Sequence, residues 1–173
     1  MDVNAPSLWL LTGPIGSGKT TFCQGLADAA VSQGWDVAGL LSPAWIESGQ
    51  KIGILSKDLR SGEQRTLATI TPRHQAGLSL GPWHFDEGIF NWGNQVIMMS
   101  TPCNLLIVDE LGPLEFNRQI GLTAAFDVIS ACRYRVGCVV IRPSLLDAAQ
   151  KHWPWAQPLI VTDASIQEIL IAP

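Results

Sequence analysis

Residues 13–20 of the chain are Gly-Pro-Ile-Gly-Ser-Gly-Lys-Thr, which matches the pattern G-x-x-x-x-G-K-[S/T] at every fixed position. The apolar run Ser7 to Thr12 comes before this stretch, and a segment of helical character, Lys19 to Ser32, comes after it. A buried strand, a glycine-rich loop and a helix in this order are typical of a loop that binds phosphate groups. The stretch therefore predicts an α/β fold in which a nucleotide binds at the start of the helix.

Each residue type in this loop has a physical reason. Glycine allows backbone angles that are closed to most side chains, and it lets the chain approach a phosphate closely while the backbone N–H groups point inward. We expect Lys19 to place its charge against the β- and γ-phosphates, and Thr20 to offer its hydroxyl to Mg²⁺. Thr21 could reach the α-phosphate. The predicted nucleotide-binding residues are Gly13, Pro14, Ile15, Gly16, Ser17, Gly18, Lys19, Thr20 and Thr21.

A second motif, Leu-Leu-Ile-Val-Asp-Glu, occupies residues 105–110. The apolar run predicts a buried strand with Asp109 at its carboxyl end, where open α/β sheets bind ligands. We expect Asp109 to hold Mg²⁺ through a water molecule. Glu110 follows directly, and a carboxylate in this place can accept a proton from an attacking water molecule. The alternative for Glu110 is a solvated or helix-capping side chain.

The second motif continues as Asp-Glu-Leu-Gly-Pro-Leu-Glu through residue 115. Gly112 and Pro113 predict a tight turn that directs Glu115 back toward the cleft. In that position Glu115 could bind a group of the substrate or orient water. The alternative is that Glu115 is a surface residue.

The rest of the chain predicts strands that alternate with helices. Further strands are expected over 36–45, 51–58, 64–70, 104–109, 136–141 and 158–162, helices over 86–100, 119–132, 144–151 and 165–171, and a loop over 71–83. Three of these strands follow one another without a helix, which indicates an antiparallel hairpin excursion at one edge of the sheet. We therefore expect a single P-loop domain, residues 1–173, with three layers and a mainly parallel sheet.

Composition and charge narrow the possible partners. The chain has 173 residues, and its 11 Lys+Arg against 15 Asp+Glu give a net charge of −4, so we expect no nucleic acid partner. Charged residues make up only 15% of the chain. This low charge indicates a possible apolar interface with a second copy of the chain or with another protein.

The sequence also favours a cytoplasmic location. The first residues, MDVNAPSL, lack the basic and apolar segments of a signal peptide. The uncharged stretch 88–108 contains asparagine, glutamine and proline, which are costly in a membrane, so no membrane span is expected. The four cysteines have no metal-ligand spacing and are expected to be buried thiols in a reducing compartment: Cys23, Cys103, Cys132 and Cys138.

Five stretches together resemble the small nucleoside-triphosphatase family that was recognised in thermophiles and has relatives in bacteria and animals. They are GPIGSGKTT, AGLLSPAW, IGILSKDLRSGEQRTLA, HFDEGIFNWGN and LLIVDELGPLEF, and the similarity covers most of the chain, from Leu8 to Ile141. The phosphate loop alone is shared by a vast superfamily. The segment D-E-[I/L]-G-x-x-E, with the glycine-containing hairpin before it, is far more specific.

The resemblance implies a compact P-loop domain and Mg²⁺-dependent hydrolysis of nucleoside triphosphates such as ATP and GTP, with loose base selectivity. By position, it implies that residues 13–20 bind the nucleotide, that Asp109 holds the metal and that Glu110 is the base. Arg142 lies in a later segment that is less uniform within the family, where a charge-stabilising residue could reach the γ-phosphate. The predicted catalytic residues are Glu110, Lys19 and Arg142, and the predicted metal ligands are Thr20 and Asp109.

Two other functions stay open at this point. One is a small-molecule or nucleotide kinase, and the other is a slow nucleotide-dependent switch or assembly subunit. An aromatic group could stack on the base or, as we favour, pack a helix onto the sheet; its members are Trp83, His84, Phe85 and Trp92. The backbone of residues 161–164, after the last predicted strand, could also contact the base.

Overall fold

Ten strands form one mixed sheet in the computed structural model, which describes residues 5–71, 78–161 and 165–171. The strands are β1 Ser7–Thr12, β2 Val37–Leu41, β3 Ala44–Glu47, β4 Gln50–Asp58, β5 Gln64–Thr69, β6 Leu78–Leu80, β7 Trp83–Phe85, β8 Cys103–Leu111, β9 Tyr134–Ile141 and β10 Gln157–Ile160. The helices are α1 Lys19–Ser32, α2 Glu87–Met99, α3 Pro113–Arg118, α4 Ala124–Ser130, α5 Leu146–His152 and α6 Ser165–Leu170, and a 3-10 turn over Pro143–Leu145 precedes α5.

The sheet has a parallel half and an antiparallel half. Its strand order is β10-β1-β9-β8-β2-β4-β5-β7-β6, and β3 pairs with β4 beside this path. Neighbours from β10 to β2 are parallel, whereas every pair beyond β2 is antiparallel. The predicted α/β class and the antiparallel edge are therefore confirmed.

The inner parallel strands β1, β2, β8 and β9 are largely apolar on both faces because helices cover both sides of the sheet. On one face, Leu10, Val108 and Val139 belong to a core cluster that includes residues of α2, α4 and α5. On the other face, Leu11 and Ile107 belong to a cluster with residues of α1 and α6. The result is the three-layer arrangement that the alternating strands and helices predict.

β2 approaches β8 more closely than a side chain would allow. Gly39 has a φ of +112°, and a Cβ atom there would lie 1.9 Å from the carbonyl oxygen of Ile107. Only glycine fits such a contact, since real Cβ atoms do not approach an oxygen so closely. Gly39 therefore allows β2 to pair with β8 along Val37 to Leu40.

Several predicted element boundaries are wrong. The strand predicted over 36–45 is interrupted after Leu41, where Ser42 and Pro43 separate β2 from β3; proline lacks the N–H that a continuing strand needs. The loop predicted over 71–83 contains β6 and the first residue of β7, which pair as a hairpin around Gly81. Residues 72–77 lie outside the described part of the chain.

The region after β8 also differs from its prediction. Gly112 and Pro113 do not form a simple turn, because Pro113 begins α3, and proline is well suited to the first position of a helix. The helix predicted over 119–132 is shorter, since α3 ends at Arg118 and α4 begins only at Ala124. Gln119 has a φ of +54° and stops α3.

Within the described residues, no helix is both long and apolar enough to cross a membrane. All four cysteines are free thiols; Cys23 and Cys138 are buried as predicted, whereas Cys103 and Cys132 are only half-buried.

Candidate functional site

The loop between β1 and α1 has the backbone geometry of an anion-binding site. Gly13, Gly16 and Gly18 have φ angles of +149°, +79° and +84°, which residues other than glycine rarely adopt. Gly18 is the N-cap of α1, and among the described residues no side chain forms a capping hydrogen bond there. The first turn of α1 also contains no acidic residue. The first-turn N–H groups of α1 and the positive end of its dipole therefore suit an anionic ligand.

Lys19 folds back over this loop. Its Nζ atom donates to the carbonyl oxygens of Gly13 and Pro14 over 2.9 Å and 2.8 Å, and it lies 3.4 Å from Ser17 Oγ. These contacts hold the ammonium group in the concave side of the loop. A phosphate group in the loop would meet that charge directly.

Asp109 lies buried at the same edge of the sheet. Its side chain accepts hydrogen bonds from the backbone N–H of Ser42, at 3.1 Å, and from the hydroxyl of Thr20. Burial raises the pKa of this carboxyl, while the Ser42 and Thr20 hydrogen bonds and the Lys19 charge act in the opposite direction. The structure therefore brings together the two predicted metal ligands, although β9 lies between the strands that carry the loop and Asp109.

Glu110 and Arg142 form an ion pair. Arg142 Nε donates to Glu110 Oε1 over 2.5 Å. The side chain of Arg142 is 47% exposed and that of Glu110 is 31% exposed. The pairing of β8 with β9 is irregular between Val108 and Leu111, so Glu110 lies outside the regular ladder. Two of the three predicted catalytic residues, Glu110 and Arg142, are thus adjacent, and each is accessible enough to change partner.

Glu115 does not point into a cleft. Its side chain is buried, and its two carboxylate oxygens accept from the backbone N–H groups of Gly112 and Leu122, both over 2.9 Å. Burial raises the pKa of Glu115, although these amides partly offset the effect. Gly121 has a φ of +87°, and a Cβ there would lie 2.1 Å from Glu115 Oε1. Glu115 joins two loops around α3 and is not a surface residue.

Ser42 is a residue of this region that the sequence analysis missed. Besides its N–H contact with the Asp109 carboxylate, its hydroxyl donates to the backbone carbonyl of Asp109. One sequence signal could have identified Ser42, because it is the first polar residue after an apolar run, as Asp109 is after the run over residues 105–108.

Two members of the aromatic group, Trp92 and Phe85, pack α2 against the sheet, as favoured. Trp92 is buried in the core cluster of α2, and the guanidinium carbon of Arg65 lies 4.8 Å from the centre of its ring. Phe85 of β7 stacks on Phe90 of α2, with ring centres 5.9 Å apart. The other segment that could contact the nucleotide base is residues 161–164. Of these, only Val161 belongs to the described part of the chain.

Comparison with known proteins places the chain in a family. The sequence model of a family described as NTPase matches residues 9–150. The chain belongs to this NTPase family. The nucleoside-triphosphatase THEP1 of Caldivirga maquilingensis is 27% identical over 126 residues, which cover 73% of this chain and 70% of that protein. The enzyme class predicted from the sequence, a nucleoside-triphosphatase, is therefore confirmed.

Solved structures share the fold of this NTPase. The solution structure of a human cancer-related nucleoside triphosphatase has a TM-score of 0.71 and 22% identity, and the match covers 96% of this chain and 94% of that chain. The crystal structure of THEP1 from the hyperthermophile Aquifex aeolicus has a TM-score of 0.67 and 14% identity, over 94% of this chain and 96% of that chain. At these identities the likeness supports the fold alone.

Proposed function

We propose that this NTPase cleaves the bond between the β- and γ-phosphates of nucleoside triphosphates with water, in a Mg²⁺-dependent reaction with loose base selectivity. The observation that carries the proposal is the position of two different carboxylates at one sheet edge. Asp109 is buried and contacts Thr20 of the phosphate loop, whereas Glu110 is partly exposed beside Arg142. A buried metal ligand and an accessible base are the two carboxylates that such a hydrolysis requires.

The phosphate loop binds the nucleotide in this proposal. The backbone N–H groups of Gly13 and of residues 15–20 surround the β-phosphate, and Lys19 leaves its contacts with the Gly13 and Pro14 carbonyls to bind the β- and γ-phosphate oxygens. Thr21 is exposed in the first turn of α1 and would contact the α-phosphate. Their common effect is to hold the γ-phosphorus in a fixed position with its charge partly neutralised.

The donors near Asp109 fit a magnesium ion. Among the described residues there is no cluster of three or more histidine, cysteine, aspartate or glutamate side chains that could form a complete metal site. The hydroxyl of Thr20 and the carboxylate of Asp109 are hard oxygen donors in mutual contact, and Mg²⁺ in phosphate sites takes its other ligands from water and phosphate oxygens. Mg²⁺ would neutralise negative charge on the phosphates during the transfer.

Glu110 is the proposed base. It accepts a proton from water as the water oxygen forms its bond to the γ-phosphorus, and the bond from this phosphorus to the bridging oxygen breaks. The electron pair of that bond remains on the nucleoside diphosphate. Arg142, now paired with Glu110, turns its guanidinium group to the γ-phosphate oxygens and stabilises the charge that develops there.

The first test compares phosphate release from ATP, GTP, CTP and UTP by the wild type and by Glu110→Gln. The glutamine keeps the size of the side chain and can still accept from Arg142, but it cannot take a proton. We expect nucleotide affinity to be retained and turnover to fall by at least about 10²-fold. Glu63→Gln, in another exposed ion pair, is the matched control and should keep full turnover. Equal turnover in wild type and Glu110→Gln would refute the role of Glu110.

A further inference from the structure

We infer that Ser42 is a positioning residue that fixes both carboxylates of the site, and this inference rests on the proposed function of Asp109 and Glu110. Ser42 follows β2, and it makes two contacts with one residue of β8. Its N–H donates to Asp109 Oδ2 over 3.1 Å, and its hydroxyl donates to the Asp109 backbone carbonyl. The first contact acts on the proposed metal ligand and the second on the backbone that carries the proposed base.

The N–H contact orients the Asp109 carboxylate. Its Oδ2 atom accepts from the N–H of Ser42, and the carboxylate also accepts from the hydroxyl of Thr20 in α1. A carboxylate that must hold a divalent cation needs a fixed direction.

The hydroxyl contact acts on Glu110. The carbonyl of Asp109 belongs to the peptide group that leads into Glu110, so its direction sets where the Glu110 side chain starts. The β8–β9 ladder is irregular between Val108 and Leu111, and regular pairing does not fix this peptide group. The hydroxyl of Ser42, directly after the neighbouring strand β2, supplies the missing constraint.

The contact depends on how closely β2 and β8 approach each other. Gly39 lies against Ile107, where any Cβ would be 1.9 Å from the carbonyl oxygen. The parallel pairing then continues to Leu40 and Val108. A side chain as short as serine can therefore reach the Asp109 carbonyl from residue 42. The residue that follows β2 thus contributes a functional side chain to a site that the sequence assigns only to the loop and to β8 and β9.

Ser42→Ala removes the hydroxyl and keeps the N–H contact, and Ser42→Thr restores a hydroxyl at the same carbon. The hydroxyl bond holds the backbone of Asp109, which carries both its own carboxylate and Glu110. Because Ser42→Ala frees this backbone, we expect it to lower kcat by about 10-fold to 100-fold with little change in KM, and to raise the Mg²⁺ concentration needed for half-maximal rate. Ser42→Thr should recover most of both losses. Ser61→Ala is the control, because the hydroxyl of Ser61 donates only within an exposed turn to Asp58. This control should match the wild type.

A second readout does not require turnover. Binding of a fluorescent, non-hydrolysable triphosphate is titrated with Mg²⁺ in the wild type, Ser42→Ala and Ser42→Thr. Ser42→Ala should need several-fold more Mg²⁺ to reach tight binding, and Ser42→Thr should not. If wild type and Ser42→Ala agree in kcat, in Mg²⁺ dependence and in this titration, Ser42 has no positioning role. Failure of the wild type to hydrolyse any triphosphate would instead refute the proposed function, and the titration would still decide the role of Ser42.

Discussion

Replacing Arg142 by alanine separates two roles that the ion pair with Glu110 combines. Arg142 could act on the phosphates, or it could serve only as a structural partner of the carboxylate. Its Nε lies 2.5 Å from Glu110 Oε1, and both side chains are partly exposed. The two roles predict different sizes of effect on stability and on turnover.

The structural contribution of this pair is small. Exposed ion pairs stabilise proteins by about 0.2–1 kcal/mol, which corresponds to about 2–4 °C or less in Tm for a chain of this length. Freeing Glu110 from the pair could therefore speed proton abstraction by about 5-fold at most. An arginine that stabilises the transferring phosphoryl group contributes about 10³-fold or more to kcat. The loss of the arginine at the phosphates therefore outweighs the faster proton abstraction by a free Glu110, so Arg142→Ala should lower kcat by at least about 10²-fold.

The assay measures steady-state phosphate release and thermal unfolding in the same preparations. Arg65→Ala is the matched control, since Arg65 donates to Glu63 over 2.8 Å and is also 47% exposed. Both variants should unfold within a few degrees of the wild type, and Arg65→Ala should keep its turnover within about twofold. If Arg142→Ala keeps wild-type turnover while Glu110→Gln is inactive, the reasoning is wrong. A faster Arg142→Ala variant would also refute it and would make Arg142 an inhibitor of the base.

Two further predictions concern the buried carboxylates. Because burial raises the pKa of Asp109, the folded protein binds its proton more tightly than the unfolded chain does, and stability falls as pH rises above the usual aspartate range. Asp109→Asn should therefore raise the Tm of the nucleotide-free protein at neutral pH while abolishing turnover, and the gain in Tm should shrink on acidification; an unchanged Tm at neutral pH would contradict this. Glu115→Ala leaves the N–H groups of Gly112 and Leu122 without their carboxylate and should lower the free energy of unfolding by about 2 kcal/mol or more. Urea unfolding checks this loss, and a raised KM with unchanged stability would instead favour a substrate contact.

The sequence predicts the parts of the site that depend on local patterns. The loop, Lys19 and Thr20 form one continuous motif, and α1 begins and ends where predicted, at Lys19 and Ser32. Asp109 and Glu110 are found because an apolar run ends in two acids. These features need only neighbouring residues, so a single sequence contains enough information to identify them.

The parts that the sequence does not predict depend on contacts between distant segments. Ser42 and Asp109 are 67 positions apart, and no local pattern indicates that a serine hydroxyl will meet that carbonyl. The error at Glu115 has a different cause, because a local signal was present. Proline at the first position of a helix and glutamate at the third form a typical helix start at Pro113 and Glu115, whereas Gly112 and Pro113 taken alone predict a turn.

The parallel half of the sheet has a consequence for how the protein reaches an active state. Strands such as β1, β8 and β9 are apolar on both faces, so a slip of one residue would still bury apolar side chains. Hydrophobicity therefore discriminates poorly between alternative alignments of these strands. The contact of Gly39 with Ile107 and the hydrogen bonds from Ser42 to Asp109 form in only one alignment of β2 with β8. A molecule with another alignment would have native helix content and a buried core but misplaced carboxylates. In a refolded preparation, the fraction of molecules that bind nucleotide tightly therefore measures how many have the correct strand alignment.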